Sequence, residues 1–280
     1  MHTADLHIHT TFSDGQHTPS EVVQMAKNKD INVISITDHD TIGGIQAGCE
    51  AAKKLGINFI TGVELSCNGN PEAHILGYNF DIHNQKIIDT LSRLSKDKAD
   101  RNLQIIDFLH SNNIHITLDE IQAVEPTAQV LGKPHIAQVL LSKGYISVLE
   151  EAYDKYLDGP EYKAAVKRNR LENEEGIALI LQAGGIPVLA HPGILNLEPA
   201  AFERYLDNLI SNGLRGLECY YSEHSIEQTN YFVAIAQARN LLVTGGSDFH
   251  GEKYKPGLQI GSAAFHIDKS ILYLLGGIVY

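Results

Sequence analysis

The segment ADLHIHTTFSDG, residues 4–15, sets Asp5, His7 and His9 at alternate positions and follows them with Asp14 beside a glycine. Alternate residues of a strand share a face, so a strand over 3–9 would group these three side chains opposite Leu6 and Ile8. The same residue types recur downstream. ISITDHD ends in Asp38, His39 and Asp40, FITGVELS delivers Glu64, EAHILGY carries His74, IPVLAHPG reaches His191, and VTGGSDFHG supplies Asp248 and His250. Counting Asp14, six histidines and three carboxylates thus fall at expected strand ends. Burying that many unpaired ionisable groups is prohibitive, whereas divalent cations satisfy imidazole and carboxylate together. The donor set lacks thiolate, which points to Mn²⁺, Zn²⁺ or Fe²⁺. No cysteine sits beside the cluster as a nucleophile, and no G-x-S-x-G elbow or phosphate-cradling glycine loop is present. The chemistry indicated is hydrolysis by activated water.

The elements that must position these groups read as βα units around a parallel sheet. Strands are expected near 3–9, 32–37, 57–65, 73–79, 186–191, 214–220 and 241–247, seven in all. Helix 18–29 opens on a capping box, with Thr18 at the N-cap, Pro19 next and Glu21 at N3. Further helical periods cover 43–54, 172–183, 198–211 and 224–238. Between 84 and 171 the βα rhythm stops for a long helical run and shorter pieces near 117–124, 133–142 and 147–157. The expected organisation is a barrel domain of residues 1–83 and 172–280, with 84–171 as a helical insertion over one end.

At 280 residues, 43% hydrophobic and 20% charged, the chain has ordinary globular composition and no apolar run long enough for a bilayer. A formal charge of −12 argues against an extended nucleic-acid-binding surface, though not against a nucleotide in a local site. Cys49, Cys67 and Cys219 are odd in number and lack CxxC spacing, and the first ten residues have no signal-peptide pattern, so a cytoplasmic protein without disulfides is expected.

DLHIHTTFSDG, SITDHDT, GVELS, HILGY, LAHPG and GSDFHG, in that order, resemble the motifs of the polymerase and histidinol phosphatase (PHP) superfamily across nearly the whole chain. GKPHIAQVL and GSDFHGEKYKPGLQIG are similar to stand-alone members that act on nucleoside 3',5'-bisphosphates and short RNA ends. The resemblance implies a distorted (β/α)7 barrel and two to three divalent ions. It assigns His7, His9, Glu64 and Asp248 to one ion, bridging Glu64 with His74 and His191 to a second, and Asp14, His39 and His250 to a third. Hydroxide bridging the first two would be the nucleophile, with the third ion on a phosphate oxygen; His7, His9, Glu64, His191 and Asp248 form the catalytic set. Asp5 is expected to orient a ligand imidazole, while Asp38 and Asp40 are either similar supports or turn residues.

Substrate contacts are expected from Lys133 and His135 at a helix start, from Ser66, and from Arg168 within the basic run Lys167, Arg168, Arg170. Some relatives carry a basic residue after HPG where this chain has Ile194, a departure that bears on phosphate selectivity. The implied activity is a metal-dependent phosphoesterase on nucleotide or RNA-end phosphates. The competing readings are histidinol-phosphate phosphatase and a non-catalytic PHP binding module. The ligand set, with none missing, argues against the module.

Overall fold

A computed structural model describes residues 1–126, 131–167 and 169–276. Its strands are β1 (His2–Asp5), β2 (Val33–Ile36), β3 (Asn58–Asn68), β4 (Ala73–Tyr78), β5 (Leu171–Glu172), β6 (Ile186–Leu189), β7 (Gly216–Tyr221), β8 (Leu242–Gly246) and β9 (Phe265–Ile267). Runs such as VISI in β2 and IPVL in β6 are buried throughout, as strands covered on both faces must be. The main sheet runs β8-β7-β6-β4-β3-β2-β1, with β9 antiparallel beyond β1 and β5 paired to the far end of β3. Past Asp5 the chain stays extended and bonds to the end of β8 through Leu6 N–H to Gly245 O (3.1 Å), Asp248 N–H to His7 O (2.8 Å) and His9 N–H to Phe249 O (3.0 Å). These contacts close seven strands into a barrel. Gly246 permits the closure, because a Cβ there would collide with the Cβ of His7.

Helices α1 (Pro19–Asn28), α2 (Ile45–Leu55), α3 (Gln85–Ser111), α4 (Leu118–Val124), α5 (Lys133–Ser142), α6 (Glu150–Ala152, continued by a π turn over Tyr153–Leu157), α7 (Pro160–Ala165), α8 (Asn173–Gln182), α9 (Pro199–Ser211), α10 (Ile226–Ala238) and α11 (Lys269–Leu274) complete the chain. The capping box expected at Thr18 is present, with reciprocal bonds between Thr18 and Glu21. One apolar cluster joins the outward faces of the strands to the flanking helices, including Ile34, Val63, Ile75, Leu189, Leu217, Val22 and Leu206. A second fills the barrel interior with Ala4, Leu6, Val33, Ile60, Leu76, Tyr78 and Val188, and α11 adds Leu272. A third belongs to residues between Ile105 and Val166 alone, so the helices after the middle of α3 pack around their own core. Cys67 and Cys219 are buried in the first cluster, Cys49 is half-buried, and all three are free thiols.

Two features differ from the sequence expectation. β4 runs antiparallel to both neighbours, because β3 and β4 form a hairpin with no intervening helix. The face alternation along residues 3–9 also breaks: Ala4 and Leu6 point into the barrel interior while Ile8 joins the outer cluster, so Asp5 does not share a face with His7 and His9. Among the described residues, no helix is long and apolar enough to cross a membrane.

Candidate metal centre

Every one of the nine expected ligand residues reaches the same barrel mouth. The closure of β1 onto β8 brings His7 and His9 beside Asp248 and His250, and a bridge between His39 and Glu64 joins the ends of β2 and β3. Across the β3–β4 hairpin His74 lies opposite Ser66, one inward position from Glu64, and the His74 carbonyl accepts from Ala190 N–H, placing His191 next in line. His191 has φ 26°, Asp248 φ 54° and Asp40 φ 57°. Such left-handed backbone costs on the order of 1–3 kcal/mol per residue and concentrates where a site requires it.

Glu64 is the hub. Its Oε2 lies 3.1 Å from His7 Nε2, 3.1 Å from His9 Nε2 and 3.2 Å from His39 Nδ1. Its Oε1 lies 2.9 Å from His74 Nδ1 and 3.1 Å from His191 Nε2. Asp248 Oδ1 faces His9 Nε2 at 3.1 Å and His7 Nε2 at 3.4 Å, and Asp14 Oδ1 faces His250 Nε2 at 3.4 Å. Three groups have donor atoms within 4.8 Å of one another: His7, His9, Glu64 and Asp248; His9, Asp14, His39 and His250; and His39, Glu64 and His74.

The residues fit divalent cations. His7 Nε2, His9 Nε2, Asp14 Oδ1 and Glu64 Oε2 are buried without a hydrogen-bond partner, although both imidazole nitrogens converge on Glu64 Oε2 and Asp14 Oδ1 faces His250. Lone pairs converging without aligned protons leave room for an acceptor of electron pairs, which is the requirement of a metal site. In the metal-free protein protons must serve instead. Burial opposes a charge on His7, but Glu218, Glu64 and Asp248 outweigh it and lift its pKa well above the usual imidazole range. His9 is lifted to about 9 against burial by the Asp248 and Glu64 carboxylates that face its Nε2. Burial instead drives His39 well down, past the attraction of Glu64 and Asp14. Despite burial, the surrounding imidazoles hold the Glu64, Asp14 and Asp248 carboxyls well below the usual carboxylate range. Metal binding here must therefore release protons.

A further ring of polar residues fixes the ligands. Asp38 accepts from Thr10 N–H, Thr10 Oγ1 and Ser13 Oγ at 2.6–2.7 Å, pinning the turn that leads to Asp14, and Asp40 accepts from Ser66 N–H at 3.0 Å. Asp5, expected to orient an imidazole, does not: it accepts from Ser247 N–H and Oγ and from Gly261 N–H, because the alternation breaks after Leu6. The carboxylate on His7 Nδ1 is Glu218, at 2.9 Å. Asp248 Oδ2 accepts from Tyr221 Oη at 3.1 Å and from Lys255 Nζ at 2.6 Å.

Above the cluster opens a cavity of about 560 Å³ between the barrel mouth and the α3–α7 helices. Lys133 and Ser66 line it, as do Arg170 and the half-exposed Ile194. Lys133 Nζ is held 3.1 Å from Asp158 and 4.8 Å from the Tyr162 ring centroid. His135 does not line the cavity; it is fully buried, and its Nδ1 accepts from Gly132 N–H, so it caps the turn that places Lys133. Arg168 lies outside the described residues, and Lys167 is exposed and not on the cavity wall.

A family model described as the PHP domain matches residues 5–219. The chain belongs to the PHP domain family. A 3',5'-nucleoside bisphosphate phosphatase of Chromobacterium violaceum is 29% identical over 251 residues, covering 89% of this chain and 88% of that protein. A 5'-3' exoribonuclease of Haemophilus influenzae is 33% identical over 247 residues, covering 88% and 89%. A solved structure described as an amidohydrolase from Chromobacterium violaceum, with bound sulfate and no metal, superposes with a TM-score of 0.86 at 27% identity over 99% of this chain and 97% of that one. This PHP protein is a phosphoric ester hydrolase.

Several residues of the PHP site escape a motif reading. Lys98 and Arg101 reach the cavity from α3, and Lys255 from the loop after His250. Their signal is only charge on one helix face or in a loop, which solvated residues share. Glu218 carries a better one, since it stands at an inward position of a strand whose neighbours Leu217 and Cys219 are buried on the other face.

Proposed function

We propose that this PHP phosphoesterase hydrolyses nucleotide-type phosphate esters, a nucleoside 3',5'-bisphosphate or the end of a short RNA, in the cavity over the metal centre. The observation that carries the reading is the wall of that cavity, where Lys98, Arg101, Lys133, Arg170 and Lys255, interspersed with Glu72, Asp158 and Glu223, surround a floor of candidate metal-ligand residues in a chain of net charge −12. Cations gathered against the overall charge suit a substrate with more than one phosphate. Its size matches a nucleotide rather than a folded polymer.

Three ions would be held by His7, His9, Glu64 and Asp248, by Glu64, His74 and His191, and by Asp14, His39 and His250, the last joined by His9. Mn²⁺, Zn²⁺ and Fe²⁺ all suit these donors. When bound, such ions activate water and neutralise charge on the phosphoryl oxygens. Ser66, at the cavity floor with its Oγ 3.4 Å from His39 Nδ1, is placed to donate to a phosphate oxygen. Lys133 supplies a cation opposite the floor, on a helix-start turn where Gly132 approaches Asp14. Residues 84–171 act as the substrate-selecting insertion on a barrel of 1–83 and 172–280. The three free thiols suit a reducing cytoplasm.

A phosphate-release comparison under identical Mn²⁺ loading tests the reading. A nucleoside 3',5'-bisphosphate or a short 5'-phosphorylated RNA should exceed histidinol phosphate in kcat/KM, because remote contacts position the scissile group. A tenfold preference for histidinol phosphate, about 1.4 kcal/mol in transition-state binding, would replace it with the runner-up.

A further inference from the structure

Seven strands close the barrel, and β7 is the one whose end gives none of the nine expected ligand residues. What β7 does contribute is Glu218, a fully buried carboxylate. Its Oε1 lies 2.9 Å from His7 Nδ1, and its Oε2 accepts from His191 N–H at 2.6 Å. One side chain thus touches two ligand residues that lie far apart in the chain but stack ring on ring, with centroids 5.7 Å apart.

We propose that Glu218 is a positioning residue that selects the ligating nitrogen of His7 and holds the His191 backbone in its left-handed turn. The inference rests on the metal reading of the site and adds to it a residue that no ligand motif contains. His7 faces Glu64 and Asp248 with Nε2, at 3.1 and 3.4 Å, so Nε2 is the atom that must be bare to bind a cation. A neutral imidazole then carries its hydrogen on Nδ1, and that hydrogen needs an acceptor in a fully buried place. Glu218 Oε1 is that acceptor. The second oxygen is already committed: His191, at φ 26°, presents an N–H that the short bond to Oε2 satisfies.

Two acceptors on one planar group are what a carboxylate offers and an amide does not. In Glu218→Gln the amide oxygen stays with the His191 N–H, which can only donate, and the NH₂ is turned toward His7 Nδ1. Two donors cannot face each other in a buried site, so the His7 hydrogen moves to Nε2 and blocks the ligating atom. A near-isosteric substitution would thereby remove a ligand that it does not touch.

The test is metal affinity, measured on the full chain by competition between Zn²⁺ and a chromophoric chelator, with the ligand-field spectrum of Co²⁺ as a second readout. Wild-type protein that binds neither ion would sink the metal reading itself. Given wild-type binding, Glu218→Gln should weaken the affinity 10- to 100-fold and alter the Co²⁺ spectrum, while the metal-free variant melts cooperatively. Wild-type affinity and spectrum in Glu218→Gln overturn the proposal. A second measurement needs no variant: in Zn²⁺-loaded wild-type protein, ¹⁵N shifts of the His7 ring should show hydrogen on Nδ1 and a bare, metal-bound Nε2. Hydrogen on Nε2 overturns the assignment.

Discussion

Lys255 Nζ sits 2.6 Å from Asp248 Oδ2, on the side of that carboxylate turned away from His7 and His9. The ammonium is thus part of the cavity wall and a partner of a carboxylate in the candidate metal cluster at once. Replacing Lys255 by Met removes one charge-assisted bond while Tyr221 keeps its own at 3.1 Å. We expect kcat/KM to fall by the equivalent of about 1.5–3 kcal/mol. Steady-state kinetics with metal analysis will check this, and unchanged kinetics would remove Lys255 from the site.

Lys133→Ala should weaken substrate handling without changing metal content, because Lys133 lines the cavity but no ligand group includes it. Its ammonium is held by Asp158 and over Tyr162, so it would meet a phosphate pre-positioned. The expected loss in kcat/KM is on the order of 1.5–3 kcal/mol, appearing mainly in KM. A parallel loss of bound metal would point to damage in the barrel instead.

Stability of the chelator-treated protein should fall between about pH 6.5 and 9. His9, at about 9, and His7, well above the usual range, bind protons more tightly folded than unfolded. The stability they contribute is complete below the unfolded value of about 6.5 and is lost as pH rises through their folded values. The depressed Glu64, Asp14 and Asp248 carboxyls act in the opposite sense, with stability present above about 4 and lost as pH falls through their folded values. Thermal melts with chelator and with Mn²⁺ will show the difference. A metal-free Tm that rises across the alkaline window would contradict the assignment, and Mn²⁺ should flatten the curve because cations replace the protons.

Leu140→Ala should cost on the order of 2–5 kcal/mol, as for other fully buried leucines. Leu140 belongs to the cluster confined to residues between Ile105 and Val166. Metal stoichiometry should therefore survive the substitution, as denaturant unfolding paired with elemental analysis will report. Loss of both together would mean that the two cores are energetically one.

The gathering of imidazoles and carboxylates at one barrel mouth was legible in the sequence because such groups at strand ends have no cheap alternative to a cation. Strand positions were legible from short apolar runs, and α5 from its Gly-Lys-Pro start. The antiparallel sense of β4 was not, since a short buried strand reads the same in either direction and only its partners reveal it. Nor was the role of Asp5, which depended on strict alternation through Leu6, Ile8 and the residues between. Glu218 was missed for a related reason: a lone carboxylate in an apolar strand announces burial but not the atoms it meets. His135 looked like a phosphate contact because the sequence places it at a helix start, yet its ring turns inward to cap that start.

The hairpin that sets β4 against β3 also divides the centre by chain distance. His39, Glu64 and His74 belong to one contiguous stretch, and two of them face each other across a single turn. His7 meets Asp248 only after the two ends of the chain have been joined. Loop-closure entropy grows with the separation bridged, and contacts between distant segments form slowly. The local trio can assemble on a partly folded chain, whereas the set built on His7 and Asp248 exists only once the barrel has closed. An ion in the latter would therefore report completed folding and tie the end of β1 to the end of β8 like a clasp.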